Sequence, residues 1–136
     1  LTKKGKNYFG VCPFHDDTNP SMSVSEDKQI YKCFSCGATG NVFTFVSEYE
    51  NVSFIEAVSI VANKVKGVRC SLVTNVTDAV LTREHNNSNC LALGAKNVSL
   101  SLAEDIVDAW LSAEFAGGRH LNRVNKISVV EVNENE

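Results

Sequence analysis

Four residues near the start of the chain have the types and the spacing to hold a metal ion. Cys12 and His15 stand in CPFH, Cys33 and Cys36 in CFSC, and seventeen residues separate the two pairs. A Cys or His pair two residues apart turns both side chains toward one ion, and two such turns facing each other across a small sheet complete a tetrahedral set. Three thiolates and an imidazole suit one zinc ion, and four protein ligands leave no position open for a substrate, so the site reads as structural. Gly37 allows the tight turn after the second pair, and Pro13 shapes the first. Two rival readings are a scatter of cysteines used as small core residues and a set of disulfides. With no secretory leader in view, the paired spacing favours metal over a staple.

The elements that must position these ligands are short strands. Residues 21–25 alternate strictly, with Met22 and Val24 on one face and serines on the other, as a half-buried antiparallel strand does. After a turn at Glu26 and Asp27, residues 29–34 form a second strand, with Ile30, Lys32 and Phe34 on one face and Tyr31 and Cys33 on the other. Residues 7–12 form a third. Aromatic rings on such a sheet give nucleobases a face to stack on, and lysines beside them follow a phosphate chain. The residues available for that role are Tyr8, Phe9, Tyr31 and Phe34 with Lys4, Lys6, Lys28 and Lys32. The competing role for each ring is closure of the core over the metal, and for Lys3, Lys4 and Lys6 a solvated terminus.

GKNYFGVCPFHDDTNPSMSV followed by DKQIYKCFSCGATGNVFTFVSEYENVSFIEA resembles the CHC2-type zinc ribbon domain of bacterial DNA primase over about residues 1–62. The family's CxxH and CxxC ligands fall on Cys12, His15, Cys33 and Cys36 without a gap. The resemblance implies one structural zinc and contact with single-stranded template DNA. The short N-terminal helix and the downstream polymerase core of that family have no counterpart in this sequence, which starts at Leu1 and reads as a fragment.

At 136 residues the chain has the length of one ordinary domain or two small ones. A ribbon of about 60 residues buries little apolar surface and needs its metal to fold securely. The net charge of -3 argues against a generally basic nucleic-acid binder. The acidity sits after Gly67, where six Lys and Arg face nine acidic residues, against seven and seven before it. No apolar run approaches the roughly 20 residues that span a bilayer, so a cytoplasmic chain with no membrane partner is expected. Asn41 caps a helix to about Glu50 with an inward stripe of Val42, Phe45, Val46 and Tyr49, and Ser53 with Glu56 opens a second helix to about Lys66.

Beyond Gly67 the pattern changes to strand at residues 68–74, a helix opened by Thr77 or Asp78 and running to about Asn86, and a strand at residues 90–93. A long helix follows, opened by Ser101 and Glu104 and running through Phe115. Its inward stripe is Leu102, Ile106, Ala109, Trp110 and Ala113; Gly117 and Gly118 break it, and a last helix starts near Arg119 and frays along VVEVNENE. Strand, helix, strand, helix with short connections implies a parallel layer. The expected fold class is therefore α+β, an antiparallel zinc ribbon with flanking helices (residues 1–62) joined to a small parallel α/β, half Rossmann-like unit (residues 63–136). Cys70 and Cys90 read as core thiols of its strands.

SIVANKVKGVRCSLV, TREHNNSNCLALGAK and LAEDIVDAWLSAEFAGGRHLNRVNKI resemble the C-terminal half of ribose-5-phosphate isomerase type B and its galactose-6-phosphate isomerase relatives, over about residues 59–128. The resemblance implies that His85 and Asn86 line a sugar site and that Arg119 and Arg123 hold its phosphate. Two arginines four apart share a helix face, and a helix start preceded by glycines favours an anion. The isomerase's general base lies in the half of that family absent here, so the chain is not expected to be an enzyme by itself. The two resemblances meet at residues 59–64, as in a chimera. Three functions follow as alternatives: a zinc-dependent module that contacts single-stranded DNA, an incomplete sugar-phosphate isomerase subunit, and a scaffold with neither activity. An open sheet edge implies self-association, with a dimer as the simplest case.

Overall fold

The computed structural model describes residues 1–133, so the end of the acidic tail, residues 134–136, lies outside the described residues. The chain divides into two compact units between Ala57 and Val58, inside a helix whose far end is where the sequence places the domain boundary.

The first unit is built on a five-stranded antiparallel sheet in the order β1 (Thr2–Lys4), β2 (Asn7–Gly10), β3 (Met22–Ser25), β4 (Ile30–Cys33) and β5 (Thr39–Gly40). Two of these strands are additions to the sequence reading. The basic start of the chain is β1, folded back on β2 through Gly5, whose φ of 64° is open to glycine without a side-chain clash. β5 pairs with β4 through Tyr31↔Gly40 and Lys32↔Thr39. The turn between β3 and β4 is closed by Gln29, at φ 53°, whose backbone and side-chain N–H groups both donate to the Glu26 carbonyl.

The expected alternation along β4 is present: Tyr31 and Cys33 are buried while Ile30, Lys32 and Phe34 are exposed. Tyr31 and Cys33 join Cys12 and Met22 in a small core, covered by Phe14, Val24, Ala38 and Phe45. Phe14, Tyr31 and Phe45 form a triangle of rings with centroids 5.1 to 5.7 Å apart, the tilted and edge-on contacts that aromatic quadrupoles favour. Phe45 comes from α1 (Val42–Glu50), capped by Asn41, whose side chain accepts from Thr44 N at 3.0 Å. The expected stripe of α1 is only half realised: Phe45 and Val46 are half-buried, whereas Val42 and Tyr49 face solvent at 47% and 59% exposure. A sheet this small covers one turn of a helix, not two. The capping box of α2 (Phe54–Ala62) forms, with Ser53 N donating to Glu56 Oε2 and Glu56 N donating to Ser53 Oγ.

The second unit carries two parallel strands, β6 (Cys70–Leu72) and β7 (Cys90–Ala92), joined through α3 (Val76–Asn86) and followed by α4 (Leu100–Ser112) and α5 (Arg119–Asn133). The sequence misplaces two caps. Asn75, not Thr77 or Asp78, caps α3: its backbone is extended and its side chain accepts from Asp78 N at 2.8 Å. Ser99, not Ser101, caps α4, accepting from Leu102 N, and the helix ends at Ser112 because Ala113 is already extended. Val73, Ala79, Val98 and Ile106 form the core, with Leu91, Leu93, Leu102, Ala103 and Trp110 around it. Trp110 is a core residue as expected. Its indole N–H donates to the fully buried Ser88 hydroxyl at 2.7 Å, and the Arg83 guanidinium stacks 5.2 Å from its ring. Cys70 and Cys90 are half-buried and are not core thiols, because Ser71, Val73, Leu91 and Leu93 are the strand residues turned to α3 and α4.

Candidate functional site

Cys12 follows β2, Cys33 ends β4, and the loops after each bring His15 and Cys36 back to them. One donor atom from each of the four residues lies within 4.8 Å of every other. Metal–sulfur bonds of 2.3 Å in a tetrahedron put neighbouring sulfurs about 3.8 Å apart; the Cys12 and Cys36 sulfurs stand 3.9 Å apart. His15 Nδ1 is buried and makes no hydrogen bond, which leaves its lone pair for a cation. The donor set and its geometry therefore fit zinc.

The surroundings prepare the thiolates unequally. Burial pushes the Cys33 thiol up, but the Ser21 hydroxyl and the backbone N–H groups of Cys36 and Ser35, at 3.3 to 3.4 Å, more than offset it and bring the group down to about 6. Cys12 is pushed up to about 11, by burial first and then by hydrogen bonds and charge from its two sulfur neighbours. Three sulfurs this close ionise together only when a cation offsets their repulsion.

Asp17, which the sequence reading passed over, ties the site together. Its carboxylate accepts from Cys12 N at 2.8 Å, from Asn19 N at 3.2 Å and from the Ser21 hydroxyl, and stands 3.8 Å from His15 Nε2. These hydrogen bonds, Ser21 first, hold its carboxyl down at about 2. A carboxylate behind a ligand histidine fixes the ring and raises its basicity. The signal was an acidic residue two places after a candidate ligand.

The register of the sheet sorts the predicted nucleic-acid residues onto two faces. Directly paired residues share a face, so Tyr8, Val24 and Tyr31 line the core side, while Phe9, Ser23, Lys32 and Thr39 line the outer side, with Lys4 and Phe34 two residues along. Tyr31 is 3% exposed, and its hydroxyl donates to Glu48 Oε2 at 3.0 Å; burial first, then that bond, push it up to about 12. Its stacking role is withdrawn: the ring closes the core. Tyr8, under Lys3 at 5.2 Å, is half-buried beside a cavity of about 400 Å³ shared with Val24, Ile30 and Phe45. On the outer side the Lys4 ammonium sits 6.0 Å from the Phe9 ring centre and the Lys32 ammonium 5.7 Å from that of Phe34, which is 68% exposed. Lys6 and Lys28 are exposed in the β1–β2 and β3–β4 turns.

In the second unit the structure separates one predicted pair and extends another. His85 stacks on His120, ring centres 4.3 Å apart and 7° from parallel. His120, absent from the sequence reading, is buried, and its Nδ1 has no hydrogen-bond partner. Burial first, then the charges of His85, Arg119 and Arg123, hold its imidazole below the ordinary range. His85, His120, Arg119 and Arg123 thus lie together where α3 ends and α5 begins. Asn86 turns away: its amide donates to Thr82 Oγ1, and it lines a different cavity of about 440 Å³ with Asn63, Arg69 and Cys70.

With the four-ligand cluster in place, the profile of the CHC2 zinc finger matches residues 1–77. The chain belongs to that family. The Ribose/Galactose Isomerase profile matches residues 56–127, so it belongs to this second family as well, and the two matches overlap at residues 56–77. The DNA primase of Clostridium acetobutylicum is 60% identical over 65 residues, and that of Geobacillus stearothermophilus 53% over 64. These stretches are 48% and 47% of this chain but 11% of either primase. Ribose-5-phosphate isomerase B of Clostridium thermocellum superimposes with a TM-score of 0.55 at 55% identity, over 57% of this chain and 52% of that one. The Mycoplasma genitalium isomerase with bound ribulose-5-phosphate gives 0.54 at 45%, over 55% and 49%. The chain thus spans about a tenth of the primases and about half of the isomerases it matches. No helix among the described residues is long and apolar enough to cross a membrane.

Proposed function

We propose that the CHC2 unit is a zinc ribbon, holding one structural ion through Cys12, His15, Cys33 and Cys36, and that its outer sheet face contacts single-stranded DNA. The carrying observation is the pair of lysine-over-ring couples on that face, Lys4 with Phe9 and Lys32 with Phe34. An exposed ring stacks a base whatever its identity, and the ammonium beside it meets the adjoining phosphate. The DNA primases that this unit resembles support the reading. Fluorescence anisotropy with a labelled single-stranded oligonucleotide tests it. The full chain should bind, weaken steeply between about 50 and 200 mM salt, and lose about 5- to 150-fold in affinity as Phe34→Ala. Salt-independent binding, or an unchanged affinity for both Phe34→Ala and Lys32→Ala, overturns it.

A second reading applies to the isomerase unit: Arg119, Arg123, His85 and His120 form a phosphate-end subsite for a sugar phosphate. Four cationic or potentially cationic groups converge there, and the start of α5 adds its N–H groups. Turnover needs a general base beside the sugar carbons, and the relatives supply that from a chain about twice the matched length, so we propose binding without isomerisation by this chain alone. Calorimetry with ribose 5-phosphate should give a heat of binding that Arg123→Ala removes. We further propose self-association, because Ile127, Val129, Val130 and Val132 of α5 are 43% to 59% exposed; light scattering giving a monomer mass across micromolar to millimolar chain rejects it.

A further inference from the structure

The chain has five cysteines, and the metal centre accounts for three. The other two stand opposite each other. Cys70 of β6 pairs in register with Cys90 of β7, so the side chains project from the same face of the sheet. Neighbouring strands run about 4.8 Å apart, inside the roughly 4.4 to 6.8 Å between α-carbons that a disulfide spans. Both residues are free and partly exposed, and Cys90 is near enough to act on the Cys70 thiol. Cys70 also lines the 440 Å³ cavity with Asn63, Lys64 and Arg69; Cys90 lies outside that lining and is itself half-buried, so a small reagent meets it from the partly exposed side. The helices α3 and α4 cover the opposite face, and the face that carries the pair is only partly covered, by Asn63 and Lys64 and by Ile127 and Val130 of α5.

We propose that Cys70 and Cys90 are a reversible dithiol, closed to a disulfide by exchange with a low-molecular-weight disulfide such as oxidised glutathione. Burial, then Cys90, push the Cys70 thiol up to about 11, which makes Cys70 a poor first nucleophile, so the exchange is written from Cys90. The Cys90 thiolate attacks one sulfur of the small disulfide, forming a mixed disulfide and releasing one small thiolate. Cys70 then attacks the Cys90 sulfur, its proton passing to a departing thiolate, and the second small thiol leaves. One S–S bond is broken and one formed; two electrons pass from the protein pair to the reagent, which leaves as two thiols. Excess small thiol reverses both steps. Closure joins β6 to β7 and so closes a ring that contains all of α3.

The test uses the full, zinc-loaded chain, incubated with oxidised glutathione, quenched in acid, denatured with chelator and alkylated. Untreated protein takes five alkyl groups; the treated protein should take three, be lighter by two hydrogens before alkylation, and yield a peptide pair joined through Cys70 and Cys90. Cys70→Ser should instead carry one glutathione on Cys90, and Trp110 fluorescence melting checks that the variant is folded. Five alkyl groups after treatment overturn the proposal, as does a disulfide among Cys12, Cys33 and Cys36 in place of Cys70 with Cys90. Loss of two alkylation sites in Cys70→Ser, where only Cys90 of the pair remains, overturns it also.

Discussion

The metal centre and the histidine–arginine cluster differ in how their parts are brought together. The first is two local turns, Cys12 to His15 and Cys33 to Cys36, docked by the ladder that pairs Met22 with Cys33. Apart from His15 Nδ1, which is buried without a bond, its polar atoms are partnered through Asp17, Ser21 and the amides of Ser35 and Cys36. The second exists only because α5 docks against the end of α3, and it leaves His120 Nδ1 buried without a bond. A site made of turns can be read from residue spacing; a site made by helix docking cannot. The difference also sets what is proposed for each: a structural ion for the first cluster, on which its fold would depend, and an anion from outside for the second.

The largest effect that separates the two regions comes from Cys33→Ser. Coordination of structural zinc is worth about 10 to 16 kcal/mol in small metal-dependent folds, far more than a ribbon with four buried core residues supplies from packing alone. Zinc should fall from one per chain to none and the first unit should unfold, both read by native mass spectrometry and near-ultraviolet circular dichroism. Trp110, the single tryptophan, reports the second unit alone. Its melting transition should persist; a Trp110 signal lost together with the zinc would mean that the two units unfold as one.

How much of this was legible follows the same division. The gathering of Cys12, His15, Cys33 and Cys36, the in–out alternation of β4 and the Ser53–Glu56 box were readable, because each is a statement about neighbours within a few residues or about two such pairs. β1 was not, since Thr2, Lys3 and Lys4 bury nothing: the strand forms through backbone pairing with Asn7, Tyr8 and Phe9, which leaves no mark on hydropathy. Tyr31 was assigned to a binding surface although the alternation already placed it beside Cys33 on the inner face; composition overrode periodicity. The cap of α4 slipped because Ser99 and Ser101 both qualify, and only the extended backbone of Ser99 decides between them. His120 carried no signal in spacing at all. Its role appears only when its ring lies on His85.

A smaller change sharpens the comparison within the metal centre. Asp17→Asn keeps the shape of the side chain but removes the charge behind His15 and weakens the hydrogen bonds from Cys12 N and the Ser21 hydroxyl. Loss of such a supporting carboxylate costs about 10- to 100-fold in metal affinity, measured by competition with a chromophoric chelator. The exposed neighbour Asp16, as Asp16→Asn, should leave the affinity unchanged. Equal affinities for both variants and the parent would reduce Asp17 to a turn residue.

The smallest effect falls on the second cluster and depends on pH. The groups facing His120 are His85 and Glu84 from α3 and Arg119 and Arg123 from its own helix; burial comes first among the causes, and the net result is an imidazole held below its ordinary range. The unfolded chain, with an ordinary histidine near 6.5, therefore binds more protons than the folded one as pH drops below that value. Stability of the second unit is fully present above about 6.5 and is lost progressively as pH falls toward the folded-state value. Depressed carboxylates such as Glu56 act in a lower window, below about 4. Urea midpoints followed by Trp110 fluorescence should thus drop between about pH 7 and pH 5, and His120→Asn should flatten the drop. An inorganic phosphate or sugar phosphate bound at Arg119 and Arg123 would offset the two positive charges that disfavour protonation, so its presence should shrink the same drop. A pH response that phosphate leaves untouched would separate the buried histidine from the arginines and leave it a packing residue only.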